Sequence, residues 1–365
     1  MTTAYYPLPE SQGGWRYLKG PDEARSLGGM DPAKLLHACE YNARFGASSG
    51  TVIIRHGFLV EEWYENSSMD ITRYDIWSCT KSFTGTAYGV LFEDCRLGKF
   101  PAEKTVDLDT LVYNFIPEGH PLSDSRKERI RLRHLLSMTS GIPGESRGIR
   151  SIPTETGVGH FEAALGLHPT KARSWPEGRW TDKLIAEPGT TWDYCDPAIA
   201  HLALAFFHIT GREISEFLQE RVLSPIGIES LSWDKQGIGA GLIGPHTNAH
   251  SGIHVSAREL ARFGYLMLRQ GQWDGQQLVA PWWIELATQS SQQLNPQYGL
   301  TWWVNTDGTT WPGLPRDAFS ARGYRSNRLY VIPSLDLVVA RVGTGPGEWS
   351  EGTLIRKIVD AIIAG

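Results

Sequence analysis

Two strand-like stretches lie near opposite ends of this chain, and they constrain its fold more than any other feature. Residues 50–64 are rich in Val, Ile, Phe, Trp and Tyr on either side of His56-Gly57, the pattern of two strands joined by a turn. Residues 328–332 and 335–342 repeat that pattern about Pro333-Ser334. The chain between them reads mostly as helix. This order predicts an α+β fold in which the two ends share one antiparallel sheet, flanked by helices, with a mainly helical domain inserted. We expect a discontinuous sheet domain (1–77 and 240–365), a helical domain (78–239) and an active site at their interface.

The helices carry their own signals. Asp31-Pro32 is a cap and first-turn pair, and Leu35, Leu36 and Cys39 follow on one face, which predicts a helix over 31–45. A second is expected from Ser78 to about Cys95, ended by Leu97-Gly98. Shorter pieces are expected over 108–113 and 132–137. Asp196-Pro197 opens a helix that runs to Gly211. Residues 256–270 form an amphipathic helix with Leu260, Phe263, Leu266 and Met267 on one face, and 353–363 a final one. Residues 142–190, rich in Gly, Pro and Thr, read as a long irregular excursion, and excursions of that length are often functional.

Composition narrows the function. Of 365 residues, 41% are hydrophobic and 21% charged, ordinary for a globular protein. The net charge of −5 argues against a nucleic-acid partner, which calls for a cationic surface. The basic run from Arg126 to Arg133 reads as a solvated helix entry. No apolar run approaches the length of a membrane span. Residues 1–7 lack a basic and apolar leader pattern, so a cytoplasmic location is expected. The four cysteines are too scattered for a disulfide framework and form no C-x-x-C pair; they are expected to be mostly buried and reduced.

Three short motifs carry chemistry. In Trp77-Ser78-Cys79-Thr80-Lys81, a lysine three residues after a serine shares its helix face. Its amine can reach the hydroxyl, which is a poor nucleophile until a base takes its proton. In Glu187-Pro188-Gly189 through Tyr194-Cys195-Asp196, a turn presents a tyrosine just before a helix; a phenol near an ammonium can relay protons. In Ser320-Ala321-Arg322-Gly323-Tyr324, a glycine at a strand end allows close backbone approach, backbone N–H groups there can hold an oxyanion, and Arg322 could bind a carboxylate.

Together these motifs resemble the serine β-lactamase and penicillin-binding-protein superfamily, on its class C β-lactamase, esterase and 6-aminohexanoate-dimer hydrolase side. Flanking phrases extend the resemblance from about residue 45 to the end: residues 130–141, Pro188-Gly189-Thr190, residues 256–264 and 298–303. The resemblance implies a β-lactamase/transpeptidase-like fold and a serine hydrolase without cofactor or metal. Ser78 would be the acylated nucleophile, Lys81 its base partner and Tyr194 a general acid/base. The backbone N–H groups of Ser78 and Tyr324 would form the oxyanion hole. Asp196, Arg322, Gly323 and Trp302 would contact a small-molecule ester or amide.

Two positions depart from the pattern. Asp196 stands where Asn is usual, adding a negative charge near Lys81 that would favour the ammonium. Ala321-Arg322-Gly323 stands where Lys-Thr-Gly is usual. An ester or linear amide is therefore expected over a β-lactam; the alternatives are a β-lactamase or D-amino peptidase, or a weakly catalytic ligand-binding relative. Three other patterns are read as decoys. Residues 46–50 match G-x-S-x-G but in the wrong strand–helix order, and Ser123-Asp124-Ser125 reads as a loop. His246, His250 and His254 lack a completing carboxylate for a metal. Oligomeric state is not encoded in any of these motifs.

Overall fold

The computed structural model describes residues 5–45, 49–66, 71–147, 160–167, 182–236, 245–345 and 350–363. The ends of the chain do share one sheet. Its strands are β1 (Ser49–Arg55), β2 (Phe58–Tyr64), β3 (Trp303–Val304), β4 (Phe319–Gly323), β5 (Asn327–Ile332) and β6 (Leu337–Gly343). They are ordered β3-β4-β5-β6-β1-β2, every neighbour antiparallel. β6 joins the two ends: Leu337 pairs with Ile332 on one side and Arg55 on the other.

Alternation along the strands sorts side chains into two cores. Val52, Ile54, Leu329, Val331, Val338 and Ala340 face the larger core. Ile53, Tyr330, Ile332, Leu337 and Val339 face a smaller one with Leu354, Ile355 and Ile358. All seven residues of β6 are buried. A strand covered on both faces reads as a continuous apolar run, which is why residues 337–340 show no alternation; Arg341, the charged exception, is buried and donates to Asn42 Oδ1 at 3.0 Å. Burial of each such Val, Leu or Ile side chain contributes ~1.5–3 kcal/mol.

The helix Ala257–Leu268 packs across β1, β5 and β6. It starts on a capping box: Ser256 Oγ accepts from Glu259 N at 3.3 Å and Glu259 Oε2 accepts from Ser256 N at 3.4 Å. The helices Pro32–Phe45 and Glu351–Asp360 pack together in the smaller core. The first begins where Asp31 Oδ1 accepts from Ala33 N at 2.9 Å. The last begins at Glu351 and ends at Asp360, slightly ahead of the predicted span, because Ser350 caps it through Thr353 N.

The helix Thr80–Arg96 is the hub of the helical region, buried at nearly every position. Its polar residues are satisfied internally. Ser82 Oγ donates to Thr301 O and Thr84 Oγ1 to Ala249 O, both at 2.7 Å. Tyr88 donates to Leu202 O at 2.7 Å, tying the hub to the helix Asp196–Thr210. A Cβ at Gly89 would fall 2.2 Å from the Trp283 ring, so only glycine admits that indole.

Some local expectations change. Leu108–Tyr113 is no helix: Leu111 bridges Arg131 and a 3-10 turn starts at Val112. The basic run is not wholly solvated either. It forms a 3-10 turn, Ser125–Arg129, and a short helix, Leu132–Leu136, and Lys127 is buried. Parts of the 142–190 excursion and of the 46–50 pattern lie outside the described residues. The cysteines are free, three of them buried. Among the described residues no helix is long and apolar enough to cross a membrane.

Candidate active site

Ser78 lies in a tight 3-10 turn, Trp77–Cys79, that feeds directly into the helix Thr80–Arg96. The turn is strained. Trp77 has φ +50°, a left-handed conformation unfavourable for a bulky residue. Two contacts hold it there. Asp75 Oδ1 accepts from Trp77 N at 2.8 Å. On the other side the end of β4 presses against Ile76, so that a Cβ at Gly323 would fall 2.0 Å from Ile76 O. Gly323 is thus required by close backbone approach, and Tyr324 follows with its ring 5.4 Å from that of Trp77.

Lys81 is 1% exposed, and three oxygens surround its amine. It donates to Ser78 Oγ at 2.8 Å and to His250 O at 3.1 Å, and lies 2.7 Å from Asp196 Oδ1. Three acceptors match the three N–H donors of an ammonium. The Tyr194 ring lies 4.8 Å from the same nitrogen.

Tyr194 is half-buried and hydrogen-bonded to Ser78. Burial pushes its phenol well above the ordinary value; the Asp196 carboxylate adds to this and the Ser78 bond opposes it. Its backbone is braced from both sides. Asp193 accepts from Gly144 N, Ser146 N and Ser146 Oγ at 2.7–3.0 Å, and Tyr194 O accepts from Glu145 N at 2.8 Å. Beyond Tyr194 stand more aromatics: Trp303 stacks on it with centroids 6.1 Å apart, and Trp192 and Tyr298 lie within 6.4 Å.

The fold thus gathers Ser78, Lys81, Tyr194 and Asp196 at one point and brings Gly323 and Tyr324 beside it. Two substrate-contact expectations need correction. Trp302 is 1% exposed and stacks on Phe263 in the core; successive strand residues face opposite ways, so Trp303 takes the cleft side instead. Arg322 does not reach toward Ser78. Its guanidinium lies between Trp303 and Trp311, at 4.8 and 4.7 Å from their centroids, and pairs with Glu351 at 2.8 Å. Sequence reasoning missed His250, whose contribution is a backbone carbonyl that carries no side-chain signature, and Tyr298, whose signal was only its place in the 298–303 phrase. His246 and His254 turn to Glu213 and Asp234, and the His250 ring packs near Phe161.

A family model described as beta-lactamase matches residues 47–362. The chain belongs to the beta-lactamase family. Over 311 residues it is 22% identical to the 6-aminohexanoate-dimer hydrolase of Paenarthrobacter ureafaciens, a match spanning 81% of this chain and 72% of that protein. A stretch of 124 residues, 30% of this chain, is 34% identical to an uncharacterized protein of Alkalihalophilus pseudofirmus and spans 37% of that protein. Among solved structures, a candidate 6-aminohexanoate-dimer hydrolase of Bacillus anthracis superposes with a TM-score of 0.67 at 21% identity, over 98% of this chain and 89% of that one. Membership in the beta-lactamase family points to a serine hydrolase of the β-lactamase and penicillin-binding-protein type. The fold is the β-lactamase/transpeptidase-like α+β fold expected from the resemblance.

Proposed function

We propose that this protein cleaves a carboxylic ester or linear amide through an acyl-enzyme on Ser78, with Lys81 and Tyr194 as proton-transfer partners. The observation that carries the reading is the convergence of Ser78, Lys81, Tyr194 and Asp196 on one buried amine. Ser78 Oγ attacks the carbonyl carbon as its proton passes to Lys81, which reacts as the neutral amine with two N–H groups on His250 O and Asp196 and its lone pair on the Ser78 hydroxyl. Lys81 then passes that proton to Tyr194 once the phenol has protonated the leaving group. Tyr194 is held protonated by burial and by Asp196, so it starts as a donor, suited to protonating the leaving group. The N–H groups of Ser78 and Tyr324 receive the oxyanion; the press of Gly323 on Ile76 supports their approach. Water then releases the acyl group by the reverse proton path. On this reading the sheet part (1–77 and 240–365) and the helical part (78–239) each supply half of the site.

The test is a short-chain p-nitrophenyl ester assay combined with trapping by an aryl phosphonate and peptide mass spectrometry. The adduct is expected on Ser78. A Tyr194→Phe variant keeps the ring that Trp303 packs against and removes only the hydroxyl. It is expected to lose ~10²-fold or more in kcat with unchanged circular dichroism. An adduct on another residue, or full activity in Tyr194→Phe, rejects the assignment.

A further inference from the structure

We infer that this cleft takes a substrate whose acyl group carries no carboxylate, because the arginine that β4 carries beside the site is built into the wall by two indoles and Glu351; the inference rests on the acyl-enzyme reading above. A carboxylate on a substrate calls for a cation with open hydrogen-bond edges, normally an arginine fork. Arg322 is close enough to be that cation. Trp303, which packs against Tyr194, also packs against Arg322.

Both of its faces are covered and one edge is ion-paired, while Nε is buried without a partner. One indole, Trp303, lies 4.8 Å from the guanidinium carbon and another, Trp311, 4.7 Å. Glu351, from the last helix, lies 2.8 Å from Nη2. Glu351 is itself pinned. Trp311 Nε1 donates to its Oε1 at 3.1 Å and Arg328 Nε to its Oε2 at 2.5 Å. Arg328 in turn spends Nη1 on Gly323 O and Asn327 O. Burial alone would raise the Glu351 carboxyl, but Arg328 and Arg322 hold it below its ordinary range, so it stays an anion at neutral pH. Freeing Arg322 for a substrate carboxylate means breaking this ion pair and leaving the half-buried Glu351 one partner short.

Among the described residues the other cations near the site give no substitute inside the cleft. Lys81 is paired with Asp196. Arg325 is exposed at the β4–β5 turn, 5.8 Å from the Trp77 ring, on the rim and in water, where a charge pair contributes little. The described aromatic side chains beside Tyr194 that are not fully buried are Trp192 and Trp303.

The experiment compares two p-nitrophenyl esters of adipic acid, one with its far end methylated and one with a free carboxylate. The wild-type protein is expected to favour the methyl ester at least tenfold in kcat/KM. Equal rates, or a preference for the acid, overturn the inference. Glu351→Gln loosens Arg322 and is expected to narrow the ratio several-fold. If that variant does not fold, Arg322→Gln serves. A wall residue leaves the ratio where it was, whereas a selective loss on the acid shows that Arg322 reads the carboxylate and rejects the proposal. Arg325→Ala is likewise expected to leave the ratio unchanged; a selective loss on the acid moves the receptor to the rim and also rejects it. Failure of the acyl-enzyme reading looks different: neither ester turns over and no adduct forms on Ser78.

Discussion

Lys81 and Lys127 are both about 1% exposed, and each donates to a serine hydroxyl, Ser78 at 2.8 Å and Ser123 at 2.6 Å. Their surroundings differ. Lys81 has a carboxylate at 2.7 Å and a phenol whose ring lies 4.8 Å away and which also bonds the same serine. Lys127 has the Ala164 carbonyl and a distant Tyr113 ring, and Ser123 Oγ already donates to Asp182 O at 3.0 Å. Burial lowers the Lys127 amine to about 8, against the opposing pull of Asp182 and Asp124. A serine–lysine contact is therefore not a catalytic site in itself. Ser78 has the Tyr194 phenol beside it and sits in a strained turn, with Trp303 stacked on that phenol. Ser123 has its proton committed to a carbonyl and its lysine committed to holding the helix His160–Leu165.

Four substitutions and one titration test this contrast, in falling order of effect. Ser78→Ala is expected to reduce ester turnover by ~10³-fold or more, while Ser123→Ala stays within about twofold. Equal losses would erase the distinction. Lys81→Ala is expected to cost ~10²–10⁴-fold in kcat. Lys127→Ala, measured in the same assay, keeps its activity but loses ~2–3 kcal/mol of stability in urea unfolding, because it leaves a cavity and a carbonyl without its donor. A Lys127→Ala protein that is stable but inactive means that the second pair feeds the chemistry after all.

The smallest effect is one of pH. Lys127 is held near 8 in the native state, against about 10.4 in the unfolded chain. Below pH 8 both states are protonated and the penalty for the buried charge is present in full. Between about 8 and 10.4 the unfolded chain binds the additional proton, so stability rises with pH through that window. Relative to Lys127→Met, the wild-type protein should gain ~1–3 kcal/mol between pH 7.5 and 10. A constant difference between the two proteins across that range contradicts the depressed value.

The contrast also marks where sequence reasoning stops. Ser78 and Lys81 were legible because three residues on a helix span one face. Tyr194 and Asp196 were legible as a turn before a helix with Pro197 in its first turn. Lys127 was misread, because a basic run is polar by composition and its burial depends on Ala164, a residue far along the chain. Arg322 and Trp302 failed for a related reason. Strand alternation says that neighbours face opposite ways, but which face meets the cleft depends on the pairing of Trp303 with Ser320.

By itself the sequence determined the α+β architecture, the sharing of one sheet by both ends and the four residues of the candidate site, since each rests on local periodicity, capping or a short motif. Tertiary structure alone decided which of two buried serine–lysine pairs has a phenol and a carboxylate beside it. It also decided that His250 lends a carbonyl and that Glu351 holds Arg322 in the wall. Those outcomes depend on groups that meet only when the sheet and the last helix pack, and a charge or hydroxyl has no fixed role until its partners and its exclusion from water are set.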